Sequence, residues 1–244
     1  MLGPTGLTLR NLVGNPFEQG VLTNFTLSSA WKIDQMGPAL DLNGSTHFIN
    51  FDNPAIHMRP DVALTFAIWV NMAAGSPGNE FLVHNHVSPQ GYNIFINTSG
   101  QPRWVIEPVG AGASSATAST DIRGANHFLV GTYNSANGSN DFYVDAVPEA
   151  TIVGLSGLID YHQSLYIGRQ VDSDQRHFTG TVYEIRVYNR VLSPREIRII
   201  YEMPYADLLP KPQTVGKAIA AAPGAGIRNP MAGPMALRTP LGVG

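Results

Sequence analysis

The chain has 244 residues, 43 % apolar and 14 % charged, with a formal net charge of −3 and no cysteine. That length suits one large β domain with an appendage, or two small domains, and the lack of cysteine excludes disulfides, thiolate metal ligands and cysteine nucleophiles. No apolar run approaches the roughly 20 residues needed to span a bilayer, and the opening MLGPTGLTLR lacks the basic and apolar regions of a signal peptide.

Residues 1–24 are broken by Gly3-Pro4, Gly6, Gly14-Asn15-Pro16 and Gly20, with a short strand expected at Leu7–Leu9. Alternation at Leu40 and Leu42 against Ala39 and Asp41 predicts a strand, Asn43-Gly44 a hairpin turn, and 47–51 the return strand. ALTFAIWVNM, residues 63–72, is the strongest core strand. Leu64, Phe66, Ile68 and Val70 share one face, with Thr65, Ala67 and Trp69 on the other. Strands follow at 81–84, 92–97 and 103–107, the last two pairing across Thr98-Ser99-Gly100. Residues 109–120 read as a mobile loop or a plain edge strand. Strands at 127–133 and 141–147 form a hairpin around Asn137-Gly138, and short strands are expected at 152–155 and 164–168.

The stretch FTGTVYEIRVYNRVLSPREIRIIYE, residues 178–202, reads as a strand followed by one capped helix. Ser193 is the N-cap, Pro194 takes the first helical position, and Glu196 completes a capping box. Ile197, Ile200 and Tyr201 give the helix one apolar face. Many short strands with turn signals between them, closed by a single helix, predict an all-β antiparallel sandwich of the jelly-roll type. Residues 1–209 are expected to form this domain. Residues 210–244 are expected to form an Ala/Gly/Pro-rich extended arm.

That closing stretch resembles the end of the laminin-G-like, concanavalin A-like jelly-roll domains, where a Phe-x-Gly strand leads to Tyr-Asn-Arg-x-Leu-Ser and a helix containing Glu-Ile. GVLTNFTLSSAWKIDQMGPALDLN is similar to the opening block of that family, ALTFAIWVNM to its Ser-Ala-Trp-Val strand, and HFLVGTYN with FYVDAV to its strands ending in Tyr-Val-Asp-Gly. The likeness covers about residues 7–203 and implies the family's sandwich. Three departures carry expectations. The family usually opens with an additional Trp-bearing strand, so Leu7–Leu9, the C-terminal arm or a strand from another subunit is expected to fill that place. Tyr183-Glu184 replaces the family's Asp-Glu, so any role of that Asp is lost. Ala146 stands where glycine is usual, so a different turn is expected there.

The related fold also houses glycoside hydrolases, but no strand offers the paired carboxylates that a retaining mechanism needs. Glu184 reads as an ion-pair partner of Arg186 or Arg190, and Asp172-Ser173-Asp174 lies in a loop. The chain is therefore expected not to be an enzyme. His84-Asn85-His86 lacks a third ligand and reads as loop or strand-end polar residues, and His127 reads as structural. No cofactor is required by the sequence; calcium is a candidate, with Asp172, Asp174, Asn137 and Asp141 as ligands, although short acidic loops are usually just solvated. A sugar site would use exposed aromatic residues, for which Tyr92, Trp104, Tyr133 and Tyr161 are candidates, although tryptophan and tyrosine at alternating strand positions more often belong to the core.

Residues 1–210 carry 18 acidic and 11 basic residues, net −7, whereas 211–244 carry Lys211, Lys217, Arg228 and Arg238 without an acid, net +4. A basic tail on an acidic body suggests an arm docking on other protein subunits, and its charges are too sparse for nucleic acid. The expectation is a non-enzymatic structural or attachment protein, a surface component of a phage or virus particle or another homo-oligomeric assembly at an extracellular surface. The alternative is a calcium-assisted carbohydrate-binding adhesion module.

Overall fold

In a computed structural model of the protein, the described residues are 7–10, 19–26, 31–52, 61–87, 90–160, 164–170 and 175–204. They form two antiparallel sheets and one helix. Sheet A has eight strands in the spatial order β1 (Thr8–Arg10), β2 (Gln19–Thr23), β5 (Phe48–Asp52), β14 (Ser164–Ile167), β7 (Glu80–Val87), β8 (Gln90–Ile96), β9 (Pro102–Glu107) and β10 (Ser114–Thr117). Sheet B has seven, in the order β13 (Val147–Ile152), β12 (Ser139–Val144), β11 (Asn126–Asn134), β6 (Ala63–Met72), β15 (Thr179–Tyr188), β4 (Gly37–Asn43) and β3 (Trp31–Asp34). The expected jelly-roll sandwich is the observed architecture. No helix of the described residues is long and apolar enough to cross a membrane. The expected arm, residues 210–244, lies outside the described residues.

Period-two alternation decides which side chains enter the sandwich. Leu64, Phe66, Ile68 and Val70 of β6 meet Ile94, Ile96, Trp104 and Ile106 of sheet A in one core between the sheets. The opposite face of β6 is apolar too, because a second layer covers it. Ala67, Trp69 and Phe128 pack there against Leu192, Ile197 and Ile200, the last two on helix α1 (Pro194–Glu202). Tyr201 stacks on Trp69 with ring centroids 5.4 Å apart. Ser193 and Glu196 form the expected capping box, and Arg190 pairs with Glu196 at 2.7 Å. Helix α1 thus occupies the outer face of sheet B.

The strand expected around Leu7–Leu9 forms as β1, in register with β2 from Thr8↔Val21 to Arg10↔Gln19. Residues 114–117 are the plain edge strand β10. Three expectations are corrected. The segments flanking Asn43-Gly44 are strands but not a hairpin: β4 pairs with β15 in sheet B, whereas β5 pairs with β2 and β14 in sheet A. The Asn43 Oδ1 accepts the N–H groups of Ser45, Thr46 and His47, which turns the chain from one sheet into the other. The strand expected at 152–155 lies earlier, as β13, because the chain reverses at Asp145-Ala146.

That reversal overturns the expected change of turn. Asp145 and Ala146 have φ of 53° and 62°, with Val144 facing Val147, as in a type I′ hairpin. Alanine therefore sits in the left-handed region. The turn is held by its neighbour: Asp145 accepts the Phe128 N–H at 2.9 Å and meets His127 Nδ1 at 2.8 Å. The strain at Ala146 predicts that Ala146→Gly stabilises the domain by about 0.5–1 kcal/mol, since a left-handed L-residue costs roughly 1–2 kcal/mol and only part of one methyl contact is lost. A higher urea midpoint with an unchanged m-value is the expected result.

Candidate functional site

Helix α1 lies on sheet B, and on the outside of sheet A the neighbouring strands β7, β8 and β9 lay side chains in rows. In the first row Phe81 faces Phe95 in the β7–β8 register, and Phe95 faces Arg103 across β8–β9. The second row is Tyr166, His84, Asn93 and Val105, and the third is His86, Gly91 and Glu107. These residues alternate with Tyr92, Ile94, Ile96, Trp104 and Ile106, which point into the core.

The third row depends on a missing side chain. Gly91 stands between His86 and Glu107 with φ of 114°, and a Cβ there would lie 2.1 Å from the Asn85 carbonyl oxygen. The space it leaves lets His86 Nε2 reach Glu107 Oε2 across a whole strand, at 2.6 Å. Glu107 is thereby a partner of His86.

The first row is a cationic wall on an aromatic base. The Phe81 and Phe95 rings lie 4.9 Å apart, and the Arg103 guanidinium lies 4.9 Å from the Phe95 centroid. Arg176 enters from the segment before β15. Its carbonyl accepts the Phe81 N–H at 2.9 Å, and its guanidinium lies 5.9 Å from both phenylalanine rings. Further along the sheet, Arg169 sits over Phe48 and Tyr166 at 4.2 and 4.6 Å. Stacking on a ring face favours each cation and fixes the plane of its five donors.

Together Phe81, His84, His86, Asn93, Phe95, Arg103, Val105, Gln170 and Arg176 line a cleft of about 360 Å³. That size falls within the range of small-molecule sites, about 300–1,000 Å³. Its lining mixes apolar surface with guanidinium donors, imidazoles and amides, and none of the lining residues is a carboxylate. His84 and His86, read from the sequence as loop or strand-end polar residues, both lie on β7, His86 next to its end, and face this cleft with their rings 6.0 Å apart.

The sugar-site candidates are placed elsewhere. Tyr92, Trp104 and Tyr133 are fully buried in the core and form no surface platform. Trp104 Nε1 donates to the Thr132 carbonyl, and the Tyr133 hydroxyl donates to the carbonyls of Gly157 and Leu155. Burial pushes the Tyr92 phenol above its usual pKa. Tyr161 lies outside the described residues, as do Asp172, Asp174, Lys211, Lys217, Arg228 and Arg238. The two described calcium candidates, Asn137 and Asp141, both meet Ser139. Asn137 Oδ1 accepts the Ser139 N–H, and Asp141 accepts the Ser139 hydroxyl. No group of three His, Asp or Glu among the described residues could hold a metal ion. Glu184 pairs with Arg186 at 2.7 Å on sheet B, as one of the two expected partners. Tyr183, at the lost family position, donates its hydroxyl to Asp34 at 2.9 Å.

A family model described as the concanavalin A-like lectin/glucanases superfamily matches residues 43–198. No curated protein matches the chain. Among solved structures, the binding domain of Paraclostridial Mosquitocidal Protein 1 is similar with a TM-score of 0.65 and 14 % identity, over 82 % of this chain and 50 % of that one. The receptor binding domain of botulinum neurotoxin C/D mosaic serotype is similar with a TM-score of 0.60 and 13 % identity, over 80 % and 50 %. A botulinum neurotoxin type C structure, described with cell entry dependent upon two ganglioside molecules, gives 0.59 and 13 %, over 81 % and 50 %. The chain thus spans about half the length of these structures, and at such identities the likeness is one of fold.

Proposed function

The chain belongs to the concanavalin A-like lectin/glucanase superfamily, and from that premise we propose that it is a non-catalytic carbohydrate-binding module whose site is the outer face of sheet A. The observation that carries this reading is the cleft between Phe81, Phe95, Arg103 and Arg176, on the outer face of sheet A. Its groups suit hydroxyl-rich ligands: imidazole and amide side chains can donate and accept, and Val105 offers apolar surface. Binding rather than hydrolysis is supported by the lining, which has no carboxylate, whereas a retaining glycosidase needs two carboxyl groups about 5–5.5 Å apart. The roles for which the toxin domains are named, receptor binding and binding, point the same way.

A glycan array tests the proposal, with wild type beside Val105→Trp, which fills the cleft. Wild type is expected to retain a defined subset of glycans and the variant, if its thermal melt is unchanged, to lose them. Retention of the same glycans by the folded variant would overturn the assignment of the site.

One sequence feature favours a second role that is compatible with the first. The acidic body and the +4 tail fit a component of a larger assembly, a phage or virus particle surface, whose arm docks on neighbouring subunits through Lys211, Lys217, Arg228 and Arg238. Gel filtration of the full chain is expected to show an oligomer that truncation at Leu209 dissociates. A stable monomer, unchanged by truncation, would overturn this role.

A further inference from the structure

We propose that the ligand held in the sheet A cleft is anionic: a sugar unit bearing a carboxylate or sulfate, bound by the guanidinium groups of Arg103 and Arg176 and by the side-chain oxygen of Asn93. This rests on the cleft being the binding site and adds the chemistry of what enters it.

The first observation is the pairing of the arginines. Arg123, Arg186, Arg190 and Arg198 each have a carboxylate partner, Asp121, Glu184, Glu196 and Glu202, at 2.7 Å. Arg103 and Arg176 have no ion pair among the described residues. Their contacts are the rings of Phe95 and Phe81. The Arg103 Nε is buried without a hydrogen-bond partner. Among the described residues these two guanidinium groups share one cleft, oriented by rings rather than neutralised by acids, and the Glu107 carboxylate, two rows away, is engaged by His86. An anion supplies what both lack, a planar or tetrahedral acceptor matched to their donors.

The second observation is independent of charge. Asn93 is only 5 % exposed, lines the cleft, and its Oδ1 has no hydrogen-bond partner. A buried amide oxygen left unpaired costs about 1–3 kcal/mol, and buried polar groups are almost always satisfied. A ligand hydroxyl or N–H in the cleft would satisfy it. The ligand therefore carries acceptors toward Arg103 and Arg176 and a donor toward Asn93. An acidic sugar has both within one ring, whereas a free phosphate or sulfate ion has no such arrangement of hydroxyls.

Isothermal titration of the full chain with lactose, 3′-sialyllactose, lactose 3′-sulfate, trigalacturonate and a heparin-derived tetrasaccharide tests this. At least one acidic probe is expected to bind about tenfold or more tighter than lactose, weakening as salt rises from about 50 to 300 mM. Sialyllactose and trigalacturonate against the sulfated probes tells carboxylate from sulfate. Arg103→Gln and Arg176→Gln are each expected to remove most of the preference while leaving the thermal melt unchanged, and Asn93→Leu to weaken the same probe without changing its salt dependence. Two results would overturn the inference: no acidic probe binding, or acid binding that survives both arginine changes. If array-positive neutral glycans are lost in Val105→Trp while acidic probes bind no better than lactose, the cleft stands and the anion inference alone fails.

Discussion

Gly131→Ala is expected to destabilise the domain by about 3 kcal/mol or more, at the upper end of overpacking costs. Gly131 lies on β11 between Phe66 and Phe142, facing the core. The indole of Trp104, from the opposite sheet, lies flat against it. A Cβ at position 131 would stand 2.2–2.7 Å from three atoms of that ring. The indole has little room to retreat, because it is fully buried, tilted against Tyr92 at 5.5 Å, and donates to the Thr132 carbonyl. The spacing of the two sheets here is set by a tryptophan resting on a glycine. Trp104→Leu alone is expected to cost about 3 kcal/mol through the cavity it leaves. The double variant is expected to lose at least about 1 kcal/mol less than the two singles together, since residues in contact couple. Urea unfolding of the four proteins gives the cycle, and strict additivity would contradict the contact.

Arg186→Met carries the second large effect, about 3–5 kcal/mol lost, because one partner of a buried ion pair is removed. The Arg186 and Glu184 side chains are 11 % and 12 % exposed. Burial alone would lower the guanidinium pKa, but hydrogen bonding to Tyr188 and the charge and hydrogen bond of Glu184 hold it above its ordinary value. Arg186→Met deprives the Glu184 carboxylate of that guanidinium. Arg186→Met combined with Glu184→Leu is expected to recover much of the loss, since replacing both members of such a pair is often close to neutral. Glycan binding by any of these variants that remains folded is expected to be unchanged, because the pair belongs to sheet B. A binding loss greater than the loss of folded protein would give Glu184 a functional role.

The sequence carried the fold wherever the signal was local. Ser193, Pro194 and Glu196 mark the start of the helix, and parity puts Trp69 on the face opposite Leu64, Phe66 and Ile68. What escaped was the choice of sheet. Asn43-Gly44 is hairpin chemistry in isolation, but the same asparagine oxygen can cap an arch between sheets, and only long-range pairing with Thr179–Val182 decides between them. Ala146 escaped for the reverse reason: a strained residue is tolerated because Asp145 is tied to His127 and Phe128 from another strand.

The site was readable in part. Tyr92 shares parity with Ile94 and Ile96, Trp104 with Ile106 and Tyr133 with Leu129 on their strands, so their burial follows from alternation. The same alternation leaves Asn93 and Phe95 on one strand, and Arg103, Val105 and Glu107 on the next, pointing outward. They form a polar and cationic face, which alternation alone does not mark as a site, because one face of an antiparallel sheet is commonly polar. Arg176 was not readable. It reaches the cleft through a backbone bond to Phe81, which lies far from it in sequence.

The most direct test of the site is a crystal structure of the full chain soaked with the tightest glycan from the array and titration panel. Density for a sugar ring beside Val105, with an anionic group on Arg103 and Arg176 and a donor on Asn93, is the predicted result. Ligand density over sheet B or at the turn loops, with this cleft holding only solvent, would contradict it.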